Sequence, residues 1–551
     1  MRIDIEVSCS YILIPVIRKG DPCLFEFFLG EEKQMEFQIP FWYGDSEPRE
    51  TEDFYGVLNV EKYKGQTLTM EADVDDEFLS EMIQSDVILR PACSRPLIHF
   101  TPDTGWMNDP NGLYYDGEYY HVYFQHNPFS VDWGNMTWGH ARTKDLLHFE
   151  MLPDVLYNDE NGTMYSGCAF LDDRNTLGFG SGTPVFFYTA CGDKTKWSAG
   201  KKSVQGLAHT PDGGNTLVKD GIVVPSLASE TRDPKVYYHE KAGVYYMILF
   251  IDEPDLFAIF TSGDLRHWEK SQELTLPGMR ECPDLRRVPT DTGEEVYLLT
   301  AADDTYITGQ FDGYQFTPDE GGVRYGAKTS IPYAAQTFVG TDRVLRLSWL
   351  RLKDEEKPYT SAMSLPRVLT LKKDEKGVWQ LIQKLPEEYE AAKEVLEEQT
   401  LMTSGQNLPL ITREIEKKAA IELKLAPAKE LGSFVTAIPS FSALLFHTDI
   451  LYNAKDHVLT IMGVKDHSDR KALIDLKEEA KGYNPERPTI RNLQGIPTLT
   501  ALSMIVDGNI LEITLNGGTD VWIFELSKEQ YTGQVEFEAT AAVHAQLSVI
   551  R

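Results

Sequence analysis

Short strand-like segments recur along the middle of the chain, and this recurrence constrains the fold more than any other feature of the sequence. Each segment is rich in aromatic and β-branched residues and is bounded by Gly, Asp, Asn or Pro, which is typical of β-strands. The five clearest begin about 48 to 66 residues apart, at residues 119–124, 185–189, 244–250, 296–300 and 344–350. Five such units predict a β-propeller, which protects its sheet edges by closing into a ring. A run of unrelated hairpins would give a similar spacing.

A second repeat lies in the loops. Thr143-Lys-Asp-Leu-Leu-His-Phe149 and Ser262-Gly-Asp-Leu-Arg-His-Trp268 share one pattern, with an aspartate two residues after a hydroxyl side chain and a histidine three residues further on. Aspartate in this position is typical of a tight turn. The shared pattern favours related structural units over unrelated hairpins.

The propeller prediction covers residues 96–385, and β-rich segments flank it on both sides. Residues 1–95 alternate in a way that predicts an accessory β-sandwich-like domain, and residues 406–551 predict a C-terminal β-sandwich. Residues 386–405 are predicted to form a linker helix. Helical patterns are restricted to residues 76–85 and 387–398, and Asp507-Gly508-Asn509 is predicted to turn a hairpin. The fold class predicted from the sequence is therefore all-β.

The charge of the chain limits its partners. With 53 basic and 85 acidic side chains it carries a formal charge of −32 at pH 7, which repels nucleic acid and anionic lipid and favours neutral ligands. Its apolar runs, such as residues 244–251, are far shorter than the roughly 20 residues of a membrane-spanning helix, and its first residues do not resemble a secretory signal. We therefore expect a cytoplasmic protein with no nucleic-acid or membrane partner. Its oligomeric state stays open.

Signatures of metals and nucleotide cofactors are missing from the sequence. It contains no GxxxxGK[ST] loop, no HExxH pair and no EF-hand loop. Its six cysteines show no CxxC pair, so we expect buried free thiols. We expect neither a metal nor a cofactor.

Three acidic residues lie next to prolines or turn signals in different repeats: Asp109, Asp233 and Glu281. Each taken alone is as well explained by a turn or a solvated loop. Equivalent positions of different propeller blades converge on the central channel, however, so the repeat predicts that the three acids share one pocket.

Aromatic residues surround the first of these acids, among them Trp106, Trp133 and Trp138. Aromatic faces stack on the C–H faces of sugars, although each of these tryptophans could equally pack in the core. Carboxylates in an aromatic cleft, without a metal signature, indicate glycoside hydrolysis, in which two acids do the chemistry.

Several motifs in the same order resemble those of glycoside hydrolase family 32, the family of invertases, inulinases and levanases. They are His99-Phe-Thr-Pro-Asp-Thr-Gly-Trp-Met-Asn-Asp-Pro-Asn-Gly112, Tyr123-Phe-Gln-His-Asn-Pro128, Trp133-Gly-Asn-Met-Thr-Trp-Gly-His-Ala141, Arg232-Asp-Pro-Lys-Val236, Glu281-Cys-Pro-Asp284, Tyr333-Ala-Ala-Gln-Thr-Phe338 and Met363-Ser-Leu-Pro-Arg367. The resemblance covers residues 96–551 and implies a five-bladed propeller followed by a β-sandwich.

The resemblance also implies a role for each acid. Asp109 is the expected nucleophile, Glu281 the expected general acid and base, and Asp233 the expected stabiliser of the transition state. We expect the negative charges of Asp109 and Asp233 to raise the pKa of Glu281. The substrate-binding residues implied by the resemblance are Trp106, Asn108, Gln125, Trp133, Tyr165, Ser166, Arg232 and Trp349.

The chain departs from the family pattern near the expected pocket. Where the family has Met-His-Trp-Gly-His and Phe-Ser-Gly-Ser, this sequence has Met136-Thr-Trp-Gly-His140 and Tyr165-Ser-Gly-Cys168, and it carries Arg324-Tyr-Gly-Ala-Lys328 where acids are usual. The three acids are intact, so these changes bear on substrate preference.

The function expected from the sequence is a retaining β-fructofuranosidase that releases terminal fructose from fructans, fructo-oligosaccharides or sucrose. Its partner is accordingly a fructose-containing oligosaccharide or polysaccharide. A fructosyltransferase with the same covalent intermediate, a non-catalytic fructan-binding protein and another furanosidase remain alternatives. The preferred linkage and chain length are left open.

Overall fold

The chain is built almost entirely of β-strands, as predicted. A computed structural model describes residues 1–41, 53–227, 230–352, 356–402, 408–428, 436–465 and 489–551. Within these residues the helices are the 3-10 turn Glu61–Tyr63 and two short α-helices, Asp76–Glu81 and Glu387–Ala391. None of the described helices is long and apolar enough to cross a membrane.

Five antiparallel sheets follow one another in the middle of the chain, each made of four consecutive principal strands. In chain order the strands are Gly105–Tyr115, Tyr120–Asn127, Thr137–Thr143 and Glu150–Leu156; Thr163–Asp172, Thr183–Cys191, Val204–His209 and Val218–Val224; Thr231–His239, Val244–Ile251, Leu256–Ser262 and Glu269–Leu274; Asp284–Val288, Val296–Thr300, Thr305–Phe311 and Phe316–Pro318; Pro332–Thr337, Leu345–Leu350, Arg367–Lys373 and Trp379–Lys384. Three short segments, Arg324–Tyr325, Tyr359–Thr360 and Ala362–Met363, extend the fourth, first and fifth sheets. Each predicted strand of the repeat is the second strand of one sheet.

The two loops that share a sequence pattern also share a structure. The Asp145 carboxylate accepts hydrogen bonds from the backbone N–H groups of Leu147 and His148, at 3.0 and 2.8 Å. Asp264 does the same for Arg266 and His267, at 2.9 and 2.8 Å. The repeated sequence therefore encodes the same turn in the first and third sheets.

The first strands of the five sheets lie next to one another and carry the candidate site. They are linked by side chains: Lys235 Nζ donates to the carbonyl of Thr337 at 2.7 Å, and Gln336 Nε2 to the carbonyl of Gly167 at 3.3 Å. Four of them have a β-bulge, which interrupts pairing after Met107, Tyr165, Arg232 and Tyr333. Bulges re-aim side chains, so these strands can turn polar groups toward a shared centre.

Residues near the N-terminus form two sheets around a core of their own. One sheet contains Arg2–Glu6, Thr67–Ala72, Asp21–Leu29 and Glu32–Phe41, and the other Phe54–Asn59, Tyr11–Val16 and Ile83–Ser85. The alternating apolar side chains of these strands are buried between them, as in Phe25, Phe27 and Phe37. Phe129, from the loop after Tyr120–Asn127, is buried in the same core. The N-terminal sheets are therefore packed directly against the first central sheet.

The last part of the chain forms a large β structure around one apolar core that includes Leu423, Ile450 and Phe537. In spatial order its strands are Lys393–Leu401, Val543–Ile550, Ala420–Pro427, Leu502–Leu515, Asp520–Gln530, Val458–Val464, Thr448–Asn453, Phe441–Leu445, Gly533–Ala539 and Leu408–Ile415, and Thr489–Leu493 pairs with Val458–Val464.

Buried charges join this last part to the central sheets. Asp507 accepts hydrogen bonds from the backbone N–H groups of Leu97 and His99 and from the His99 ring, at 2.7, 3.0 and 2.9 Å. Glu512 contacts the other ring nitrogen of His99 at 3.3 Å and pairs with Arg367. We call His99, Arg367, Asp507 and Glu512 the junction cluster.

Three local predictions were wrong in whole or in part. The helix predicted at 387–398, within the linker at 386–405, ends at Ala391, and Lys393–Leu401 is a strand because it pairs with Val543–Ile550. The helix predicted at 76–85 likewise ends at Glu81. No hairpin forms at Asp507-Gly508-Asn509. Leu502–Leu515 is one strand that changes partner near Gly508, whose φ is 63°, because the Asp507 side chain is held by the junction cluster.

Candidate active site

Asp109 lies in the bulge of the first strand Gly105–Tyr115. Met107 pairs with His126 and Pro110 with Phe124, so two residues of this strand stand opposite Gln125 alone. The Asp109 carboxylate is partly buried and accepts hydrogen bonds from Ser166 Oγ at 2.6 Å and Asn108 Nδ2 at 3.1 Å. Burial raises the pKa of Asp109, against these two hydrogen bonds, which lower it. A fixed carboxylate with this surrounding can act as a nucleophile.

Asp233 lies in the bulge of the third sheet's first strand, with a φ of 61°. Its side chain is buried and accepts a hydrogen bond from the backbone N–H of Cys282 at 2.9 Å. Burial raises the pKa of Asp233 to about 7, partly offset by Arg232 and reinforced by Asp109. A positive φ is uncommon for a non-glycine residue and is found where the surrounding structure enforces it, often at functional sites.

Glu281 stands just before the strand Asp284–Val288 and also has a positive φ, 57°. Arg232 donates to one of its oxygens at 2.8 Å and the Tyr333 hydroxyl to the other at 2.6 Å. Burial alone would raise the pKa of Glu281, but Arg232 and Tyr333 outweigh it and hold this pKa below its usual value. The expectation that neighbouring acids raise the pKa of Glu281 is therefore wrong for the protein without substrate.

The structure brings the three acids together, and we call Asp109, Asp233 and Glu281 the acid cluster. The Cys282 sulfur lies 3.5 Å from Asp109 Oδ2 and 3.5 Å from Asp233 Oδ2. Arg232, paired with Glu281, also has its Nε 3.8 Å from Asp233 Oδ2. Residues 109, 233 and 281, far apart in the sequence, thus lie together in the fold.

Most of the expected substrate-binding residues lie around this cluster. Asn108 and Ser166 contact Asp109, and Trp106 donates from Nε1 to Asn108 Oδ1 at 2.7 Å. Trp349 packs edge-on against Trp106, with ring centroids 5.9 Å apart. Trp349 Nε1 and Gln125 Nε2 are buried donors that make no hydrogen bond with the part of the chain that the structure describes. Such donors are available to a bound ligand.

Trp133 and Tyr165 lie farther out. Their rings meet edge to face, with centroids 6.0 Å apart, and the Trp133 side chain is 51% exposed. Among the described residues no hydrogen bond joins either side chain to the three carboxylates, whereas Ser166, next to Tyr165, donates to Asp109. The two rings therefore form a rim outside the acid cluster.

Sequence reasoning missed three contributors to the site. Tyr333 holds Glu281, Cys282 lies between two acids, and Glu230 accepts from Arg232 at 2.8 Å. The motif Tyr333-Ala-Ala-Gln-Thr-Phe338 was visible in the sequence, and a tyrosine heading a strand with a bulge could have suggested the first of these. The other two contacts depend on the fold.

One group of side chains has the spacing of a metal site. Donor atoms of Asp109, Asp233 and Cys282 all lie within 4.8 Å of one another. Burial and the adjacent acids raise the pKa of the Cys282 thiol well above its usual value. Because metals bind the thiolate, this thiol would have to lose its proton to act as a ligand; as it stands, it contacts both carboxylates within hydrogen-bonding distance.

Comparison with known proteins places the chain in a family. Residues 99–384, just over half of the chain, match the model "Glycosyl hydrolases family 32 N-terminal domain". A levanase from Bacillus subtilis is 35% identical over 319 residues, which are 52% of this chain and 46% of the relative. An invertase from Debaryomyces hansenii is 33% identical over 313 residues, 51% of this chain and 57% of the relative. The matches thus span about half the length of each relative.

Solved structures extend the likeness beyond the family match. The exo-inulinase of Aspergillus awamori superimposes with a TM-score of 0.68 at 23% identity, covering 83% of this chain and 98% of that one. The fructofuranosidase of Schwanniomyces occidentalis, solved with fructose, gives a TM-score of 0.67 at 24% identity over 83% and 98%. At this identity the likeness shows a shared fold. Together with the match over residues 99–384, it leads to one conclusion: this chain belongs to glycoside hydrolase family 32.

Proposed function

We propose that this protein is a retaining β-fructofuranosidase that releases terminal fructose from fructans, fructo-oligosaccharides or sucrose. The observation that carries the proposal is the acid cluster. It joins one carboxylate fixed by Ser166 and Asn108 to another held by Arg232 and Tyr333, in a family 32 chain. Glycoside hydrolysis with retention needs such a pair, one as nucleophile and one as acid and base.

In the proposed mechanism, Asp109 attacks the anomeric carbon of the fructosyl unit while the bond from that carbon to the leaving oxygen breaks. Glu281 gives its proton to the leaving oxygen. Water then attacks the fructosyl–Asp109 ester, Glu281 takes a proton from that water, and Asp109 is released as a carboxylate. Asp233 binds fructose hydroxyls, and the buried donors of Gln125 and Trp349 are satisfied by the sugar.

The proton on Glu281 needs an explanation, since its pKa is low without substrate. Arg232 is the main charge that lowers it, and Asp233, with a pKa of about 7, holds a proton near neutral pH. We propose that sugar hydroxyls draw Arg232 away from Glu281 and favour the ionised form of Asp233. Closely coupled acids share protons in this way, so substrate binding moves the proton to the residue that must donate it.

The architecture proposed for this activity has three parts. The five central sheets are the blades of a propeller whose first strands line the pocket, and the C-terminal strands form a β-sandwich. The N-terminal sheets are an accessory domain. Support comes from the order of the sheets and from the contacts between first strands.

A product profile tests the proposed function. The purified protein is given sucrose, inulin-type oligosaccharides and levan, in parallel with Glu281→Gln and a control, Glu269→Gln, which changes an exposed glutamate. We expect free fructose as the sole early product. Glu281→Gln should lower kcat by about 10²–10⁴-fold, the usual contribution of a general acid, while Glu269→Gln should retain full activity.

Other outcomes would contradict the proposal in distinct ways. Longer oligosaccharides among the early products would indicate a fructosyltransferase or endo-cleavage. Full turnover by Glu281→Gln would remove Glu281 from its role. A protein that binds these sugars without turning them over would be a fructan-binding protein, and the relative rates on inulin-type and levan substrates would identify the preferred linkage.

A further inference from the structure

A cavity of about 590 Å³ lies between the N-terminal sheets and the rim of the candidate active site. One wall comes from the strand Glu32–Phe41 and includes Gln38 and Pro40. The other comes from loops of the first two central sheets and includes Asp132, Trp133, Asn135 and Lys194. We call it the rim cavity. Its volume is within the range of small-molecule binding sites.

The N-terminal wall is held firmly in place. The Gln38 backbone N–H donates to Asn135 Oδ1 at 2.8 Å, and Asn135 Nδ2 donates back to the Gln38 carbonyl at 2.8 Å. Two positions earlier, Asn158 pairs in the same reciprocal way with the backbone of Glu36, at 3.0 and 2.7 Å. Paired side-chain-to-backbone bonds of this kind fix both position and direction. The rim cavity is therefore built by the fold.

The loop that carries Trp133 is anchored in the N-terminal core. Phe129 at its start is fully buried there and packs against Phe37, with ring centroids 4.8 Å apart. Asn135 at its end is bound to Gln38. Residues 1–41 therefore support the loop on both sides of its exposed tryptophan.

Two chains of contacts link the lining of the rim cavity to the acid cluster. Trp133 contacts Tyr165, the neighbour of Ser166, which donates to Asp109. Lys194 pairs with Glu230 at 3.3 Å, and Glu230 holds Arg232. Because the acid cluster takes the terminal fructose, the remaining sugar units have to leave it past this rim.

The chemistry of the lining suits a neutral, hydroxyl-rich ligand. The half-exposed indole of Trp133 offers a face for a sugar ring. The side chains of Gln38 and Asp132 are exposed and make no hydrogen bond or ion pair with the described residues. An amide and a carboxylate supply the donors and acceptors that sugar hydroxyls need.

We infer that the N-terminal sheets complete a binding site for the sugar units on the leaving-group side of the cleaved bond, with Gln38, Asp132 and Trp133 as its contacts. Gln38 lies outside the family match at residues 99–384, whereas Asp132 and Trp133 lie within it, so the N-terminal segment adds its own contact to this site. The inference rests on the proposed function, and it names oligosaccharides longer than two units as the substrate class that benefits.

Substrate length is the variable that tests the inference. We would measure kcat/KM on sucrose and on β-linked fructosyl oligosaccharides of three to five units, for the full-length protein and for Gln38→Ala, Asp132→Ala and the double variant. The ratio of kcat/KM on the longer substrates to that on sucrose should fall about threefold to tenfold for each single variant, the value of about one hydrogen bond. The double variant should lower it further.

The control is Gln399→Ala, which removes an exposed glutamine from a strand remote from the cavity and should leave the ratio unchanged. An unchanged ratio in the double variant, or equal losses on sucrose and on the longer substrates, would overturn the inference while leaving the proposed function intact. Absence of turnover on every β-fructoside by the unmodified protein would overturn the proposed function and the inference with it. Both substituted side chains are exposed, so melting temperatures should stay within about 1 °C of the unmodified protein.

Discussion

Two buried clusters of charged side chains in this molecule differ in how their acidic groups are balanced by basic ones. In the junction cluster, Asp507 and Glu512 face His99, Arg367 and backbone N–H groups, and every acid is balanced. The pKa of His99 is raised to about 9 because Asp507 and Glu512 outweigh burial. The pKa of Glu512 is lowered to about 2 because Arg367 and His99 outweigh burial. Both groups are held in their charged forms.

The acid cluster has the opposite balance. Arg232 pairs with Glu281 and lies 3.8 Å from Asp233, whereas Asp109 is held by hydrogen bonds from neutral side chains. Burial raises the pKa of Asp233 to about 7 and also raises that of Asp109. Asp233 and Glu281 both have positive φ angles. The comparison teaches that a balanced buried cluster makes the fold depend on each of its partners, whereas crowded like charges on strained backbone mark a site where protons can be moved.

The sharpest test of this contrast is Asp109→Asn. The amide keeps the size of the side chain but cannot attack the anomeric carbon, so kcat should fall by roughly 10⁴-fold, a loss typical of a residue that forms the covalent bond. Because the substitution removes one of three crowded charges, the melting temperature should not fall. Steady-state kinetics and thermal denaturation check both parts, and a variant that loses stability together with activity would contradict the contrast.

The reciprocal change is Glu512→Gln in the junction cluster. It leaves Arg367 buried without its counter-charge and leaves His99 with Asp507 alone, so the free energy of unfolding should fall by about 3–5 kcal/mol. Below the melting transition kcat should be retained. Denaturant titration measures the loss, with Glu414→Gln, an exposed glutamate on the strand Leu408–Ile415, as the matched control. A stable Glu512→Gln protein with low activity would reverse the assignment of the two clusters.

Features that depend on neighbouring residues in the sequence, such as strands and turns, could be predicted. The second strands of the sheets fall where alternating residues placed them, and Val296–Thr300 matches the prediction at both ends. The shared Asp145 and Asp264 turns were visible as a repeat. The positions of the three acids could be predicted from family motifs, since each motif keeps its residue at a bulge or a strand start.

Features that depend on distant partners could not be predicted. Residues 393–398 are rich in glutamate and look helical, yet they form a strand because they pair with Val543–Ile550, about 150 residues later in the chain. The low pKa of Glu281 comes from Arg232 and Tyr333, which lie 49 and 52 residues away. The rim cavity depends on Gln38 meeting Asn135, 97 residues later. No pattern within one segment carries such information.

The two clusters should also differ in how they make stability depend on pH, although this effect is smaller. The pKa of Asp233 is raised to about 7 in the folded protein, so the folded state binds more protons than the unfolded state, and stability falls as pH rises from about 4 to 7. Asp233→Asn removes this loss and should raise the apparent melting temperature by about 2–4 °C at pH 8, with no gain at pH 4. Glu512, with a pKa of about 2, has the opposite sign: its contribution is present above about pH 4.5 and is lost toward pH 2. Thermal scans across this range would contradict the contrast if both variants shifted in the same direction at pH 8.

Cys282 provides the smallest and most specific test. Its thiol is protonated, because burial and the adjacent acids raise its pKa, and it lies 3.5 Å from both Asp109 and Asp233. The thiol helps to hold the pKa of Asp109 down, so Cys282→Ala should raise that pKa and move the acidic limb of the kcat/KM profile to higher pH by less than about one unit. At the optimum pH, kcat/KM should fall by about threefold, since a thiol is a weak donor.

Two control variants accompany this test. Cys282→Ser should restore the position of the acidic limb because a hydroxyl can make the same bonds, and Cys9→Ala, far from the site, should leave the profile unchanged. If Cys282→Ala lowered kcat/KM equally at every pH and left the acidic limb in place, the thiol would have no effect on the pKa values of Asp109 and Asp233. Its role would then be packing alone.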